Sequence, residues 1–231
     1  MKKLSSLSIF FPSYNEEANV ERVVSRALEV APKFASKVEV IVVNDGSKDR
    51  TRERAEAMAK KDKRVRAITH EVNKGYGGAL ITGIQSARYD WVFFTDGDGQ
   101  FDTAEIEKLV PLTETHDIVV GYRIHRQDPM IRKLNAFMWG TLVRALFGIK
   151  VRDIDCAFKL FRRKVFDQVE VTAQGAMIST QILATATRRG FSIAEVGVNH
   201  YPRTAGVQTG AKLSVILRAF VELFRFYRRL Q

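Results

Sequence analysis

The sequence predicts an α/β domain built on a mostly parallel sheet with helices on its faces, followed by amphipathic helices toward the C-terminus. Three observations predict it. Short apolar runs alternate with helical patterns five times within the first 121 residues, as right-handed crossovers between parallel strands require. The runs are nearly continuous in Val, Ile and Phe rather than alternating, which suits strands buried on both faces. Each run also ends in polar, turn-forming residues, where an open parallel sheet places its ligand crevice.

In chain order, Leu7-Ser-Ile-Phe-Phe11, Val38-Glu-Val-Ile-Val-Val43, Val65-Arg-Ala-Ile68, Trp91-Val-Phe-Phe-Thr95 and Asp117-Ile-Val-Val120 read as strands from their β-branched and aromatic content. Between them, 16–31 sets Val20, Val23, Val24, Ala27, Leu28 and Ala31 at helical spacing. A charged surface helix is expected over 49–62, a small apolar one over 75–87, and one over 102–112 opening on Asp102 as N-cap. After residue 121 the alternation breaks. Asp128-Pro129 starts a helix with proline at its first position, Leu134, Phe137, Met138, Leu142 and Leu146 form its apolar stripe, and Gly148 stops it. A helix over about 174–189 and a strand near 191–198 follow. Leu213, Ile216, Leu217, Phe220, Leu223, Phe224 and Tyr227 then mark a last amphipathic helix whose polar stripe holds Arg218, Glu222, Arg225 and Arg229. The expected organisation is one domain over 1–211, with a nucleotide-binding half (1–121) and an acceptor-binding half (122–211), and an amphipathic helix over 212–231.

Charge separates the two halves. Residues 1–120 hold 18 Lys and Arg against 19 Asp and Glu, and 121–231 hold 19 against 7, so the net +11 belongs wholly to the second part. That asymmetry points to an anionic partner met there, such as phosphates or an acidic membrane surface. Cys156 is the single cysteine, which excludes an intrachain disulfide. No secretory leader and no run of about eighteen uncharged apolar residues is found, so the expected location is cytoplasmic. Nucleic acid is not expected as the partner, because the basic residues are mixed with bulky apolar ones and no helix-turn-helix, RNP or zinc pattern is present.

The strand ends carry the chemistry. Strand four runs into Asp96-Gly-Asp-Gly-Gln100, two carboxylates and an amide separated by glycines that allow them to turn toward one hard cation. Taken alone this is an ordinary Asp-Gly turn. Three more loops are expected at the same crevice: Pro12-Ser-Tyr-Asn-Glu16-Glu17, Asn44-Asp45-Gly-Ser-Lys-Asp49 and Asn73-Lys74-Gly75-Tyr-Gly-Gly78. Asp45 can hydrogen-bond a base or ribose, and Tyr14 can stack on a base. The glycines after Lys74 admit close backbone approach, although the spacing is not that of a Walker loop.

The succession PSYNEE, VVNDGSKDRT, NKGYGGAL and FTDGDGQ resembles family 2 glycosyltransferases of the GT-A (Rossmann-like) fold, in the branch of dolichol-phosphate mannose synthase and polyprenyl-phosphate glucosyltransferases. The match continues through Gly121-Tyr-Arg123, Arg132 with Asn135, Asp153-Ile-Asp-Cys-Ala-Phe-Lys-Leu-Phe-Arg162 and Arg203-Thr-Ala-Gly206. The resemblance implies that Pro12, Tyr14, Glu16, Val43 and Asp45 frame the nucleoside of a GDP- or UDP-sugar, with Lys74, Gly75, Thr95 and Gly97 also lining the donor site. It implies that Asp96, Asp98 and Gln100 face Mg²⁺ or Mn²⁺ and the diphosphate, oxygen ligands being suited to a hard cation. By the same resemblance Arg123, Arg132 and Arg203 contact donor or acceptor phosphates. Cys156-Ala-Phe-Lys159 departs from the Ser-Gly-Phe-Arg usual in that branch.

The expected reaction moves mannose from GDP-mannose or glucose from UDP-glucose, with inversion, onto a polyprenyl or dolichyl phosphate. A phosphate acceptor is already an anionic nucleophile and needs alignment and charge management more than a base. The alternative is a saccharide or protein hydroxyl acceptor with Asp153 or Asp155 as base; a nucleotide-sugar-binding module without catalysis is a third reading. Phe137, Met138, Trp139, Leu142, Leu146 and Phe147 on one helix, and Phe220, Phe224, Phe226 and Tyr227 on another, suit a headgroup boundary or packing against the core or a second subunit in a homo-oligomer. Many members of that family continue into transmembrane helices; this chain is expected to touch the cytoplasmic face of a membrane peripherally, or through a separate membrane-spanning partner, or to be a fragment.

Overall fold

The apolar runs become the inner strands of one sheet. The computed structural model describes residues 3–124, 130–173, 175, 177–203 and 213–230. Its elements in order are β1 (Leu4–Ser13), α1 (Val20–Phe34), β2 (Ala35–Asn44), α2 (Thr51–Lys61), β3 (Val65–Thr69), α3 (Gly75–Ser86), β4 (Trp91–Thr95), 3₁₀ turns at Thr103–Lys108 and Val110–Glu114, β5 (Ile118–Ile124), α4 (Met130–Phe147), β6 (Phe158–Arg162), a 3₁₀ turn at Arg163–Asp167, α5 (Ile178–Arg188), β7 (Ile193–Asn199) and α6 (Leu213–Leu230). The seven strands form one sheet in the order β3-β2-β1-β4-β6-β5-β7. All neighbours run parallel except β6, which is antiparallel to both β4 and β5.

That order sets the position of the crevice. From β1 the chain winds outward through β2 and β3 on one side and returns to β4 on the other, so the strand order reverses between β1 and β4 and their carboxyl ends open a cleft. The two flanks are joined by aromatic packing: Phe10 and Phe94 lie 5.4 Å apart, Phe94 and Phe161 5.9 Å, and Phe93 meets Phe158 edge-on at 4.7 Å. All five rings are fully buried, and such pairs contribute about 0.5–1.5 kcal/mol each beyond their buried area.

Four elements differ from the expectation. β6 falls within the Asp153–Arg162 stretch, and Lys159, its second residue, disguises a strand buried from Phe158 to Phe161. The segment expected as a helix over 102–112 is two 3₁₀ turns; Asp102 does cap it, accepting from the Ala104 N–H at 2.9 Å. Pro111 lies in this segment, and its missing N–H denies it a continuous i→i−4 ladder. α1 begins at Val20 rather than 16, because Glu16 turns inward to the site and its carbonyl accepts from Asn19 and Val20. α5 begins at Ile178. Gly148 ends α4 as expected, with φ +67° and its N–H bonded to Arg144 O at 2.9 Å. Asp128-Pro129, the side chains of Arg132, Leu134 and Phe220, and Thr204 to Gly206 lie outside the described residues.

Candidate active site at the carboxyl ends of the strands

The strand-end loops are laced to one another by backbone contacts. Asp45 N–H donates to Ser13 O at 2.9 Å, drawing the β2 loop against β1, and Gly97 N–H reaches Pro12 O at 3.3 Å from the β4 side. A Cβ on Gly97 would stand 2.5 Å from Ser13 Oγ, so only glycine lets the Asp96–Asp98 turn approach β1 this closely. Gly46, at φ +67°, packs the β2 loop against Asn73 of the β3 loop in the same way. Lys74 N–H then donates to Asp45 Oδ1 at 2.8 Å, and Asn73 Nδ2 donates to Asp45 O at 3.0 Å. Pro12, Val43, Thr95 and Asp45 are buried here and Tyr14 is half-buried. The structure therefore brings Pro12, Tyr14, Val43, Asp45, Lys74 and Gly75 to one side of the cleft and Thr95 to Gln100 to the other.

The acidic residues have distinct partners. Asp98 accepts from Gln100 N–H at 3.0 Å through Oδ1 and from Arg203 Nη1 at 3.4 Å through Oδ2. Arg203 also pairs with Glu16, whose other oxygen accepts from Asn19 Nδ2 at 2.8 Å. Burial pushes Glu16 above the usual carboxylate range, against the pull of Asn19 and Arg203. Gln100 spends its amide N–H on Tyr201 O at 3.0 Å, tying the chain after β7 to the site. Asp96 stands apart, because among the described residues its buried Oδ1 has no hydrogen-bond partner, and neither has Thr95 Oγ1 beside it. Burial and the neighbouring Asp98 raise the Asp96 pKa to about 7.

Tyr76 was not singled out from the sequence. Its hydroxyl bonds to Asp96 although the residue as a whole is 39% exposed, and burial of the hydroxyl together with the Asp96 charge holds its pKa well above the ordinary value. The single-letter run NKGYGG hides this, since the tyrosine points to the carboxylate only because α3 begins at Gly75.

On the far side Arg123 clamps Asp153 with two parallel bonds, Nε to Oδ2 at 2.7 Å and Nη2 to Oδ1 at 2.8 Å. Burial alone would raise the Asp153 pKa, but the Arg123 guanidinium outweighs it and the net shift is downward. A carboxylate so held is a poor proton acceptor. Asp155 is exposed. Lys159 is buried under the site, with its Nζ on Cys156 O and 3.5 Å from Ser179 Oγ, and burial lowers its pKa. Burial likewise pushes the Cys156 thiol up to about 12, so it is no nucleophile.

The donor set fits a hard divalent cation. An orphaned carboxylate oxygen and two carboxylates that resist ionising together are relieved by a positive charge between them. Among the described residues there is no cluster of three or more His, Cys, Asp or Glu that would hold a metal unaided. Asp96 and Asp98 would supply part of a coordination shell that a diphosphate completes.

The sequence model described as "Glycosyl transferase family 2" matches residues 8–170, spanning β1 through β6 and all four loops. The chain belongs to that family. Among relatives of this family 2 member, the undecaprenyl-phosphate 4-deoxy-4-formamido-L-arabinose transferase of Shewanella sediminis is 31% identical over 207 residues, covering 89% of this chain and 62% of that protein. The dolichyl-phosphate beta-glucosyltransferase of Saccharomyces cerevisiae is 29% identical over 223 residues, covering 84% of this chain and 66% of that protein. The chain thus spans slightly less than two thirds of the length of either. The fold matches the Mycobacterium tuberculosis glucosyl-3-phosphoglycerate synthase, solved with Mn²⁺, UDP and phosphoglyceric acid, at TM-score 0.73 and 22% identity over 96% of this chain and 78% of that one. The same synthase solved with Mg²⁺ and UDP matches at TM-score 0.73 and 21% identity, covering 96% of this chain and 79% of that one. The GT-A architecture is therefore shown.

Proposed function

We propose that this family 2 member transfers a hexose, mannose from GDP-mannose or glucose from UDP-glucose, to a polyprenyl or dolichyl phosphate at a membrane surface. The observation that carries the donor side is the Asp96–Asp98 pair at the strand reversal, with one carboxylate oxygen bare and the pKa of its group raised to about 7. A bound Mg²⁺ or Mn²⁺ would be held by Asp96 and Asp98 and would neutralise charge on the departing nucleoside diphosphate. The relatives named above act, by their names, on undecaprenyl and dolichyl phosphates, which supports the acceptor class.

In this reading a phosphate oxygen attacks the anomeric carbon, the bond from that carbon to the nucleoside diphosphate breaks, and the configuration inverts. The acceptor anion brings no proton to remove, which agrees with Asp153 being committed to Arg123 rather than poised as a base. Arg203, lying against Glu16 and Asp98, holds positive charge beside the diphosphate end of the cleft. Asp45 and the Lys74 backbone frame the nucleoside, and Val43 and Pro12 exclude water beneath it.

Membrane contact has its own support. Met130, Phe137 and Met138 on α4 and Val221 and Phe224 on α6 are exposed, with exposed Arg225, Arg228 and Arg229 beside them. Phe147 instead packs on Phe226 at 5.4 Å and Tyr227 at 5.8 Å, so part of the expected headgroup stripe serves to dock α6 on α4. No helix among the described residues is long and apolar enough to cross a membrane.

The test is transfer of radiolabel from GDP-mannose or UDP-glucose to polyprenyl phosphate with Mn²⁺ present. Label extractable into organic solvent is expected; none with either donor overturns the proposal. Asp155→Asn should keep turnover within about threefold if the acceptor is a phosphate, whereas loss on the scale of a removed general base, about 10²-fold or more, favours a hydroxyl acceptor.

A further inference from the structure

Behind the donor site lies a buried histidine that the transfer reaction itself does not use. His70 follows β3, and its backbone N–H bonds to Asn44 O at 2.9 Å. Its ring stands between two partners: Nδ1 lies 2.7 Å from Asp45 Oδ1 and Nε2 lies 2.8 Å from Thr82 Oγ1 on α3. His70 and Asp45 are both almost completely buried. A carboxylate can only accept, so Nδ1 carries a proton and donates to Asp45, while Nε2 meets the Thr82 hydroxyl, which can donate or accept. Asp45 Oδ1 is filled by His70 and by the Lys74 N–H, so in the donor reading it is the carboxylate's other oxygen that would meet the base.

We propose that His70 is a positioning residue for nucleobase selection: backed by Thr82, it fixes Asp45 in one rotamer as a pure acceptor, so the site favours bases whose pairing edge carries a ring N–H (uracil N3, guanine N1) over cytosine and adenine, whose corresponding ring nitrogen carries a lone pair. The inference rests on the donor reading above, in which Asp45 meets the nucleoside. A ring nitrogen lone pair on cytosine N3 or adenine N1 would face the carboxylate as a second acceptor, and the two would repel. Sites built to hydrogen-bond a donor reject analogues that lack it far more strongly than apolar pockets reject a missing methylene.

Calorimetry with Mn²⁺ would first find which of UDP and GDP the wild-type protein binds, and compare it with CDP or ADP respectively; inorganic pyrophosphate serves as a ligand without a base. In His70→Gln the amide reaches the Thr82 side and leaves Asp45 unsupported. Affinity for the preferred nucleotide should fall about tenfold, the scale of one lost charge-assisted hydrogen bond, and selectivity should narrow by a similar factor. His70→Asn places an amide N–H where Nδ1 was and should stay within about threefold of wild type. Pyrophosphate binding should be unchanged in both. Equal behaviour of the Gln and Asn variants, or a parallel fall in pyrophosphate affinity, overturns the proposal by reducing His70 to a packing role. Should His70→Gln fail to fold, Thr82→Val removes only the rear hydroxyl; it should narrow selectivity while sparing pyrophosphate, and unchanged selectivity refutes the idea. A wild-type protein that binds neither UDP nor GDP overturns the donor reading and this inference with it.

Discussion

Removing the charge of Asp96 should stabilise the metal-free protein, and the gain should depend on pH in a way no packing change can imitate. With its pKa raised to about 7, Asp96 retains in the folded state a proton that the unfolded chain, near the ordinary value of 3.8, has already released. The folded state therefore binds more protons between those two values, and stability falls as pH rises through that window. At about 1.4 kcal/mol per pKa unit the ceiling is about 4 kcal/mol above pH 7. Asp96→Asn keeps the shape without the charge, so it recovers part of that deficit at pH 8 and almost none at pH 4. For a chain of this size each kcal/mol moves Tm by about 2–4 °C, so recovery of half the ceiling raises Tm by about 4–8 °C at pH 8. Differential scanning fluorimetry of both proteins in chelator from pH 4 to 8 measures it. A lower Tm for the variant at pH 8, or a difference that does not change with pH, refutes the argument. The same variant should lose Mn²⁺-dependent nucleotide binding, trading function for stability.

Arg123→Ala leaves the half-buried Asp153 carboxylate without its clamp and should cost about 1–3 kcal/mol in urea unfolding. The double variant with Asp153→Ala should recover most of that loss, and simple additivity of the two changes contradicts a coupled pair. Gly83→Ala pushes a methyl group to within 2.2 Å of the Phe10 ring, between α3 and β1. It should lower stability by at least about 1–3 kcal/mol, read as the circular dichroism melt; a melt equal to wild type would show that Phe10 has room to move.

The parallel flank was legible in the sequence because its signals are local. β4 was read as Trp91–Thr95, matching its limits, since an uninterrupted apolar run followed by Asp-Gly marks both its burial and its end. β2 and β3 were read within a few residues for the same reason. β6 was not legible, because a lysine at the second position of Phe158–Arg162 argues against a buried strand unless its ammonium group has partners, and those partners, Cys156 O and Ser179 Oγ, come from the preceding turn and from α5. The site divides likewise. Asp45, Asp96 and Asp98 announce themselves as strand-end carboxylates, whereas His70 and Tyr76 acquire roles only from contacts across loops. A polar residue ending a strand was the available signal for His70, but the reading of β3 stopped at Ile68.

Opposite ends of the same sheet treat buried carboxylates differently, and that contrast locates function more sharply than any motif. Midway along β2 and level with the amino end of β3, Glu39 is buried with both oxygens engaged, Oε1 by Ser8 at 2.7 Å and the Arg88 N–H at 2.8 Å, and Oε2 by Arg66 at 3.1 Å. Its charge is balanced within the chain, as a structural role demands. At the carboxyl end of β4, Asp96 has an oxygen with no partner and a charge its surroundings oppose. Folding alone would favour a neutral residue at position 96, because a bare buried acceptor costs about 1–3 kcal/mol. In the proposed donor reading a cation and its diphosphate would remove this instability, so the free energy withheld from folding at Asp96 would become available to bind the donor.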